Sequence, residues 1–168
     1  MQAHDVLDVV GALATAGVAF WLDGGWGVDA LLGAQTRAHD DLDVVIALDE
    51  AAAAQEALRK VGFSVVEDEM PTRFAMRDAG NRAVDFHTVT FDDEGNGFQR
   101  LQDGSTFRYP AEGFAGMGSV GNRPVRCLTP AIQALCHRGY EPDEKDRHDM
   151  RLLHERFGVT SPPRRLSA

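Results

Sequence analysis

The sequence predicts an α+β domain in which a mixed sheet is flanked by helices, with further helices at the C-terminal end. Three observations lead there. Apolar residues recur with helical spacing near both ends of the chain, whereas the middle alternates apolar and polar residues with the period of two that marks half-buried strands. Glycines at 17, 24, 25, 33 and 62 punctuate the apolar runs, so the elements they bound are short. With 168 residues and 43% hydrophobic content, the chain is long enough for one ordinary core and too short for two. A single domain over residues 1–158, followed by a flexible tail at 159–168, is therefore expected.

Val6, Val9, Val10 and Leu13 trace one face of a helix over residues 4–16, which Gly17 ends. Residues 18–22 read as a buried strand. Gly24-Gly25 breaks that strand sharply, and residues 26–32 form a short helix ending at Gly33, followed by a charged loop at 35–40. A second strand at 41–48 gives way to an alanine-rich helix over 49–61, with Asp49 as its N-cap and Gly62 as its terminator. Strands follow at 63–66, 73–77 and 82–89, with shorter ones near 98–101, 106–109 and 124–128. Thr129-Pro130 supplies a cap and an N1 proline for the next helix. The last helix, 143–157, carries Met150, Leu153 and Phe157 as its apolar stripe, and the run Ser161-Pro162-Pro163-Arg164-Arg165 reads as disordered.

Charge narrows the partners. The 26 acidic against 17 basic residues give a net charge of -9, which argues against duplex nucleic acid and suits a cationic ligand or a metal-dependent site. Cys127 and Cys136 form no zinc-type pair and read as reduced, packed thiols. The uncharged stretch 9–22 is too short to span a membrane and lacks the basic flank of a signal peptide, so the cytoplasm is the expected address.

The chemistry centres on Asp41-Leu42-Asp43. Strand alternation puts both carboxylates on one face while Leu42 turns to the other. Paired carboxylates repel unless a cation or a proton lies between them, and oxygen-only ligands point to a hard ion such as Mg²⁺. In the strand 82–89, Ala83, Asp85 and His87 share a face and Val84 and Phe86 the other, so Asp85 is a third carboxylate in an otherwise apolar strand. Gly24-Gly25 stands between a strand and a helix N-terminus, where a triphosphate can rest on backbone amides. Together, Asp41, Asp43 and Asp85 can hold two metal ions roughly 4 Å apart that clamp the attacking and leaving oxygens of an in-line phosphoryl displacement. Asp85, nearest the incoming hydroxyl, is expected to act as general base while sharing in metal ligation.

The segment Trp21-Leu22-Asp23-Gly24-Gly25-Trp26-Gly27-Val28-Asp29-Ala30-Leu31-Leu32-Gly33, followed by Thr36-Arg37, His39 and Asp41-Leu42-Asp43, resembles the antibiotic nucleotidyltransferases of the lincosamide and aminoglycoside 2''-adenylyltransferase group. Shorter blocks continue the resemblance: Asp85-Phe86-His87, Arg123-Pro124-Val125-Arg126-Cys127, Gly139-Tyr140-Glu141, Lys145-Asp146 and Asp149. It implies a polymerase-β-like nucleotidyltransferase fold, Mg²⁺, ATP or another NTP as donor, and a drug hydroxyl as acceptor. It carries the metal-ligand role to Asp41 and Asp43 and the base role to Asp85. The wider superfamily has Gly-Ser at the turn, with the serine on phosphate, so Gly25 leaves that contact to backbone amides. A lincosamide-type acceptor is expected ahead of an aminoglycoside because the first block reads closer to that branch. A homodimer whose second subunit helps wall the pocket is the expected assembly.

Around this centre, Arg37 is placed to grip a phosphate by two parallel bonds, with His39 beside it on the same loop. Lys145 can reach the triphosphate as a point charge, or pair with Asp149 at i+4. Trp26 can stack on a base or sugar, although an aromatic after a tight turn is more often core. His87 can orient the acceptor or make a structural hydrogen bond. Gly116-Met117-Gly118-Ser119-Val120-Gly121 matches G-x-G-x-x-G but precedes a strand, which excludes a dinucleotide site. Asp92-Asp93-Glu94-Gly95-Asn96-Gly97 reads as a hairpin turn and not as a calcium loop. Two rival functions remain: a toxin-like enzyme modifying protein or RNA hydroxyls, and a non-catalytic nucleotide- or metal-binding module. The acidic balance argues against RNA, and the presence of all three carboxylates argues against the module.

Overall fold

A computed structural model describes residues 1–137 and 141–160. The expected disorder at 161–165 and the Gly139-Tyr140 block fall outside that range. In chain order the elements are α1 (Ala3–Thr15), β1 (Phe20–Asp23), α2 (Gly24–Leu32), β2 (Asp41–Ala47), α3 (Ala51–Arg59), β3 (Ser64–Glu69), β4 (Arg73–Arg77), β5 (Ala83–Phe91), β6 (Gly97–Arg100), β7 (Thr106–Tyr109), β8 (Met117–Val120), β9 (Arg123–Arg126), α4 (Pro130–Cys136) and α5 (Glu144–Phe157). The main sheet has the order β1-β2-β5-β4-β3, and β6 and β7 extend it from β5. Its mixed character comes from the parallel pairing of β2 with β5, while the neighbouring pairs β1–β2 and β4–β5 are antiparallel. A parallel pair needs a long crossover, and α3, β3 and β4 supply it.

Alternation divides the sheet into two faces of different chemistry. Leu42, Val44 and Ile46 of β2 and Val84 and Phe86 of β5 are fully buried, in one cluster with Val6, Val9 and Leu13 of α1 and Ala54 and Leu58 of α3. Within it, Phe74 stacks on Phe86 with ring centroids 4.6 Å apart and planes 10° apart. Truncating so buried a ring to alanine costs about 3–5 kcal/mol. The opposite face is apolar only where Val45 and Val89 pack with Tyr109, Leu128 and Ile132. Elsewhere it is polar and carries the carboxylates.

Several boundaries differ from expectation. Helix α2 begins at Gly24 and not at Trp26, because the Asp23 carboxylate caps it by accepting from the Gly24 amide at 2.8 Å. Gly24 enters the helix with φ +56, a left-handed conformation that favours glycine, and the glycine pair opens its first turn. Asp49 does not cap α3: a 3-10 turn at Leu48–Glu50 leads into it without a side-chain cap, and Glu50 accepts instead from the Ala19 amide at 3.1 Å. The glycine-rich run at 116–121 contains β8, which forms a hairpin with β9. A Cβ at Gly118 would lie 2.2 Å from the Ala30 carbonyl oxygen, so glycine is what lets this hairpin back onto α2. In α5, Asp143 and Asp146 cap reciprocally at 2.9 Å. Its stripe is misphased, however: Leu153 is buried, Phe157 is 38% exposed, and the other buried residue is Asp149. The run 92–97 is a hairpin turn closed from the Gly95 amide to the Asp92 carbonyl at 3.0 Å. Cys127 and Cys136 are free thiols. No helix among the described residues is long and apolar enough to cross a membrane, and the stretch 9–22 is divided between α1 and β1.

Candidate active site

Register places Asp43 of β2 opposite both Asp85 of β5 and Asp23 of β1. Residues opposite one another across neighbouring strands share a face, so these carboxylates form one row over three strands. In the next row, His87 stands opposite Val45 on one side and Arg73 of β4 on the other. Ligand atoms of Asp43, Asp85 and His87 all lie within 4.8 Å of one another. His87 Nε2 is 3.4 Å from Asp43 Oδ1. Asp85 Oδ2 accepts from Arg73 Nη1 at 2.8 Å, whereas Asp85 Oδ1 is buried with no hydrogen-bond partner. A buried carboxylate oxygen left unpaired beside other anions is a position that a cation stabilises.

Asp41 shares the face of Asp43 but stands opposite Ala83, toward the exposed end of the strand, and its oxygens lie outside the 4.8 Å group. The converging trio is thus Asp43, Asp85 and His87. Alternation guarantees a common face, and two residues along a strand are about 7 Å apart in backbone, so Asp41 stands one row further along the strand than Asp43.

Burial raises the carboxyl pKa of Asp23, Asp41 and Asp85. For Asp41, the Asp43 carboxylate adds to that rise; for Asp85, His87 and Arg73 oppose it. Burial also works against a charged His87, but the carboxylates of Asp43, Asp23 and Asp85 outweigh it and lift the imidazole pKa to about 9. His87 is further fastened from behind. Its Nδ1 is 3.3 Å from Gln99 Nε2, which donates to the Thr72 carbonyl at 3.1 Å, and Gln99 Oε1 accepts from the Tyr109 hydroxyl at 2.9 Å.

Beside this row lies the first turn of α2. A Cβ at Gly24 would sit 2.3 Å from Asp43 Oδ2, and one at Gly25 would sit 2.2 Å from Arg37 Nη2 and 2.6 Å from His39 Nδ1. Arg37 donates from Nε and Nη2 to the two oxygens of Asp149, at 2.9 and 2.7 Å. Lys145 pairs with Asp40 at 2.6 Å and not with Asp149. A cavity of about 830 Å³ opens over these groups, with Gly24, Gly25, Arg37 and Lys145 on one side, Gln99, Leu101, Phe107 and Tyr109 on the other, and Asp23, Asp43 and His87 between them.

Two expected residues serve as support. Trp26 is 2% exposed and belongs to the core, where its ring lies 4.6 Å from that of His39; this corrects its expected stacking on a base or sugar. His39 is itself buried and held by Asp29 at 2.5 Å, so it braces the loop from inside and does not face the cavity. Sequence reasoning missed Asp23, Arg73, Gln99, Tyr109 and the partner role of Asp149. An aspartate just before a helix N-terminus signals a cap and gave access to Asp23. The others enter through strand order and helix docking, which leave no local mark.

Comparison with known proteins places the chain in a family. A sequence model of the family described as aminoglycoside-2''-adenylyltransferase matches residues 5–153. A lincosamide resistance protein of Staphylococcus haemolyticus is 29% identical over 136 residues, covering 81% of this chain and 84% of that protein. A 2''-aminoglycoside nucleotidyltransferase of Escherichia coli is 28% identical over 71% of this chain, which spans 63% of that protein's length. Among solved structures, the lincomycin-bound lincosamide antibiotic adenylyltransferase LnuA superposes with a TM-score of 0.79 at 27% identity, over 89% of this chain and 94% of that one. The solution structure of the antibiotic-resistance factor ANT(2'')-Ia shares the fold, with a TM-score of 0.70 at 21% identity over 91% of this chain and 82% of that one. With the family match running from α1 into α5 and enclosing the whole carboxylate row, the chain belongs to the aminoglycoside-2''-adenylyltransferase family of antibiotic nucleotidyltransferases.

Proposed function

We propose that the chain moves a nucleoside monophosphate, AMP in the first instance, from a Mg²⁺-bound NTP to a hydroxyl of a lincosamide-type antibiotic. The observation that carries the reading is the row of Asp23, Asp43 and Asp85 with an unpartnered Asp85 Oδ1, next to the first turn of α2. Hard carboxylate oxygens fit Mg²⁺. Asp43 and Asp85 would hold it, with Asp41 joining from the same face where a second ion binds. Bound Mg²⁺ supplies neutralisation of the charge that builds on the transferring phosphoryl group.

The remaining steps fall to the protein's own groups. With the Gly24 amide taken by Asp23, the next first-turn amides of α2, from Gly25 on, are those that would receive the triphosphate, which the helix end favours electrostatically. Arg37 and Lys145 add positive charge on that side of the cavity. Arg73 holds one oxygen of Asp85, which leaves Oδ1 to accept the proton of the acceptor hydroxyl. Burial raises this carboxyl and so makes it a stronger base than an exposed aspartate. The acceptor oxygen bonds to the α-phosphorus as the α–β phosphoanhydride bond breaks, and pyrophosphate leaves.

The acceptor side favours a lincosamide. Leu101, Phe107 and Tyr109 give it an apolar wall, which a substrate with a single amine needs more than a polycationic aminoglycoside does. The lincosamide resistance protein and the LnuA structure, matched over 84% and 94% of their lengths, support the same choice. Incubation with α-labelled ATP, Mg²⁺ and a panel of lincosamides, aminoglycosides, protein and RNA tests the reading. Label on a lincosamide is expected. Label on an aminoglycoside alone would move the acceptor, label on RNA or protein would favour a toxin-like enzyme, and nucleotide bound without any transfer would leave a binding module.

A further inference from the structure

We infer that Asp149 is a positioning residue for the triphosphate, acting through Arg37, so that helix α5 forms part of the nucleotide site. The inference rests on the reading that the triphosphate lies at Gly24-Gly25. Asp149 is 1% exposed, and a carboxylate so deeply buried must be paired. Both of its oxygens are taken by one guanidinium, through Arg37 Nε at 2.9 Å and Nη2 at 2.7 Å. Arg37 Nη1 donates to the Ala38 carbonyl at 3.1 Å. A guanidinium has five N–H groups, so one donor remains on each terminal nitrogen. Nη2 is also the atom that a Cβ at residue 25 would meet at 2.2 Å, which lays the guanidinium against the backbone of the turn, and Arg37 lines the cavity there.

An ion pair that merely joined α5 to the loop at 34–40 would need no glycine beneath it. That joining is already shared with other contacts of α5: the neighbouring His148, whose Nε2 lies 3.1 Å from Thr36 Oγ1, and Lys145 one turn before, which pairs with Asp40 at 2.6 Å. What the Asp149 pair adds is orientation. An arginine free in solvent loses rotamer entropy when it grips an anion, whereas a planar fork already fixed on two oxygens loses little. The remaining donors are then held ready beside the amides of the turn.

The experiment is calorimetric. Binding of an ATP analogue with a non-cleavable α–β bridge, in Mg²⁺, is compared with binding of AMP for the wild-type chain, Asp149→Asn, Asp149→Glu, Arg37→Lys and the Asp149→Asn/Arg37→Lys pair. Asp149→Asn should weaken the triphosphate about tenfold while leaving AMP affinity unchanged, because a small misplacement of the guanidinium removes only the contact to the outer phosphates. The double variant should bind the analogue no more weakly than Arg37→Lys alone, as expected when one residue acts through another. Asp149→Glu keeps the buried charge, shifts the fork by one methylene and gives the same selective loss where Asp149→Asn proves too unstable. Equal losses for AMP and analogue, additive losses in the double variant, or no loss at all would overturn the inference while leaving the nucleotide site standing. A wild-type chain that binds neither nucleotide would instead remove the site reading itself.

Discussion

On the α5 side of the cavity, Arg37 and Lys145 are held by carboxylates 112 and 105 residues away in sequence, whereas on the β6–β7 side the contacts joining His87, Gln99 and Tyr109 span only 12 and 10 residues. The first wall presents fixed cations, each with its own anion behind or beside it. The second presents an amide, a phenol and aromatic rings, with Phe107 edge-on to Tyr109 at 4.7 Å. Paired cations suit a polyanion, and a partly apolar wall with Asp103 at its turn suits a hydroxylated organic acceptor that carries an amine. On the proposed function, the difference means that donor and acceptor recognition would be drawn from different stretches of sequence and meet at the central acidic row.

Three substitutions bear on that division. Asp43→Asn strikes the seam, and should lower turnover about a thousandfold, or roughly 4 kcal/mol in the transition state, with both substrates affected. Its melting temperature should stay near that of the parent, because Asp43 lies in the open cavity and not in the core; turnover close to wild type would take Asp43 out of the site. Gly25→Ala strikes the donor wall. The added methyl meets Arg37, whose fork is tied to Asp149, and His39, whose ring is pinned by Asp29, so neither can yield freely. The KM for NTP should rise up to about a hundredfold while the acceptor KM holds, since displacements near 1 Å carry penalties of that order. A shift in acceptor KM instead would blur the two walls into one. Phe107→Ala strikes the acceptor wall and should do the reverse, raising the acceptor KM about fivefold through loss of about 1 kcal/mol of aromatic contact. Steady-state kinetics with each substrate varied in turn would show an unchanged acceptor KM if Phe107 merely packs the hairpin.

Much of this centre is legible in the sequence, and what is hidden has physical reasons. Strand alternation correctly pairs Asp41 with Asp43 and Asp85 with His87 on shared faces, with Leu42, Val84 and Phe86 turned to the core. The proline at 130 marks the start of α4 because its fixed φ suits a first helical turn, although Thr129, the expected cap, makes no side-chain cap bond. Depth is another matter. Spacing says that Asp41 and Asp43 point the same way, but only the pairing of β1, β2 and β5 shows that Asp23 and Asp85, not Asp41, stand level with Asp43. Gly24-Gly25 looks like a break because glycine is common in breaks; here it serves close approach inside a helical turn. The buried Asp149 misphases the stripe of α5, since a pattern of apolar residues has no place for a carboxylate whose partner comes from residue 37.

The acidic row also determines when, during folding, the chain acquires its chemistry. Asp43 and His87 are 44 positions apart and come together through the parallel pairing of β2 with β5, a long-loop closure that α3, β3 and β4 must first bridge. The same docking step sets Asp43 beside Asp85, so assembly of the sheet works against a carboxylate repulsion that His87 and Arg73 oppose. On the proposed function, a divalent cation held by those groups would stabilise the finished sheet as well as the transition state, and refolding in its presence should favour the native state by mass action.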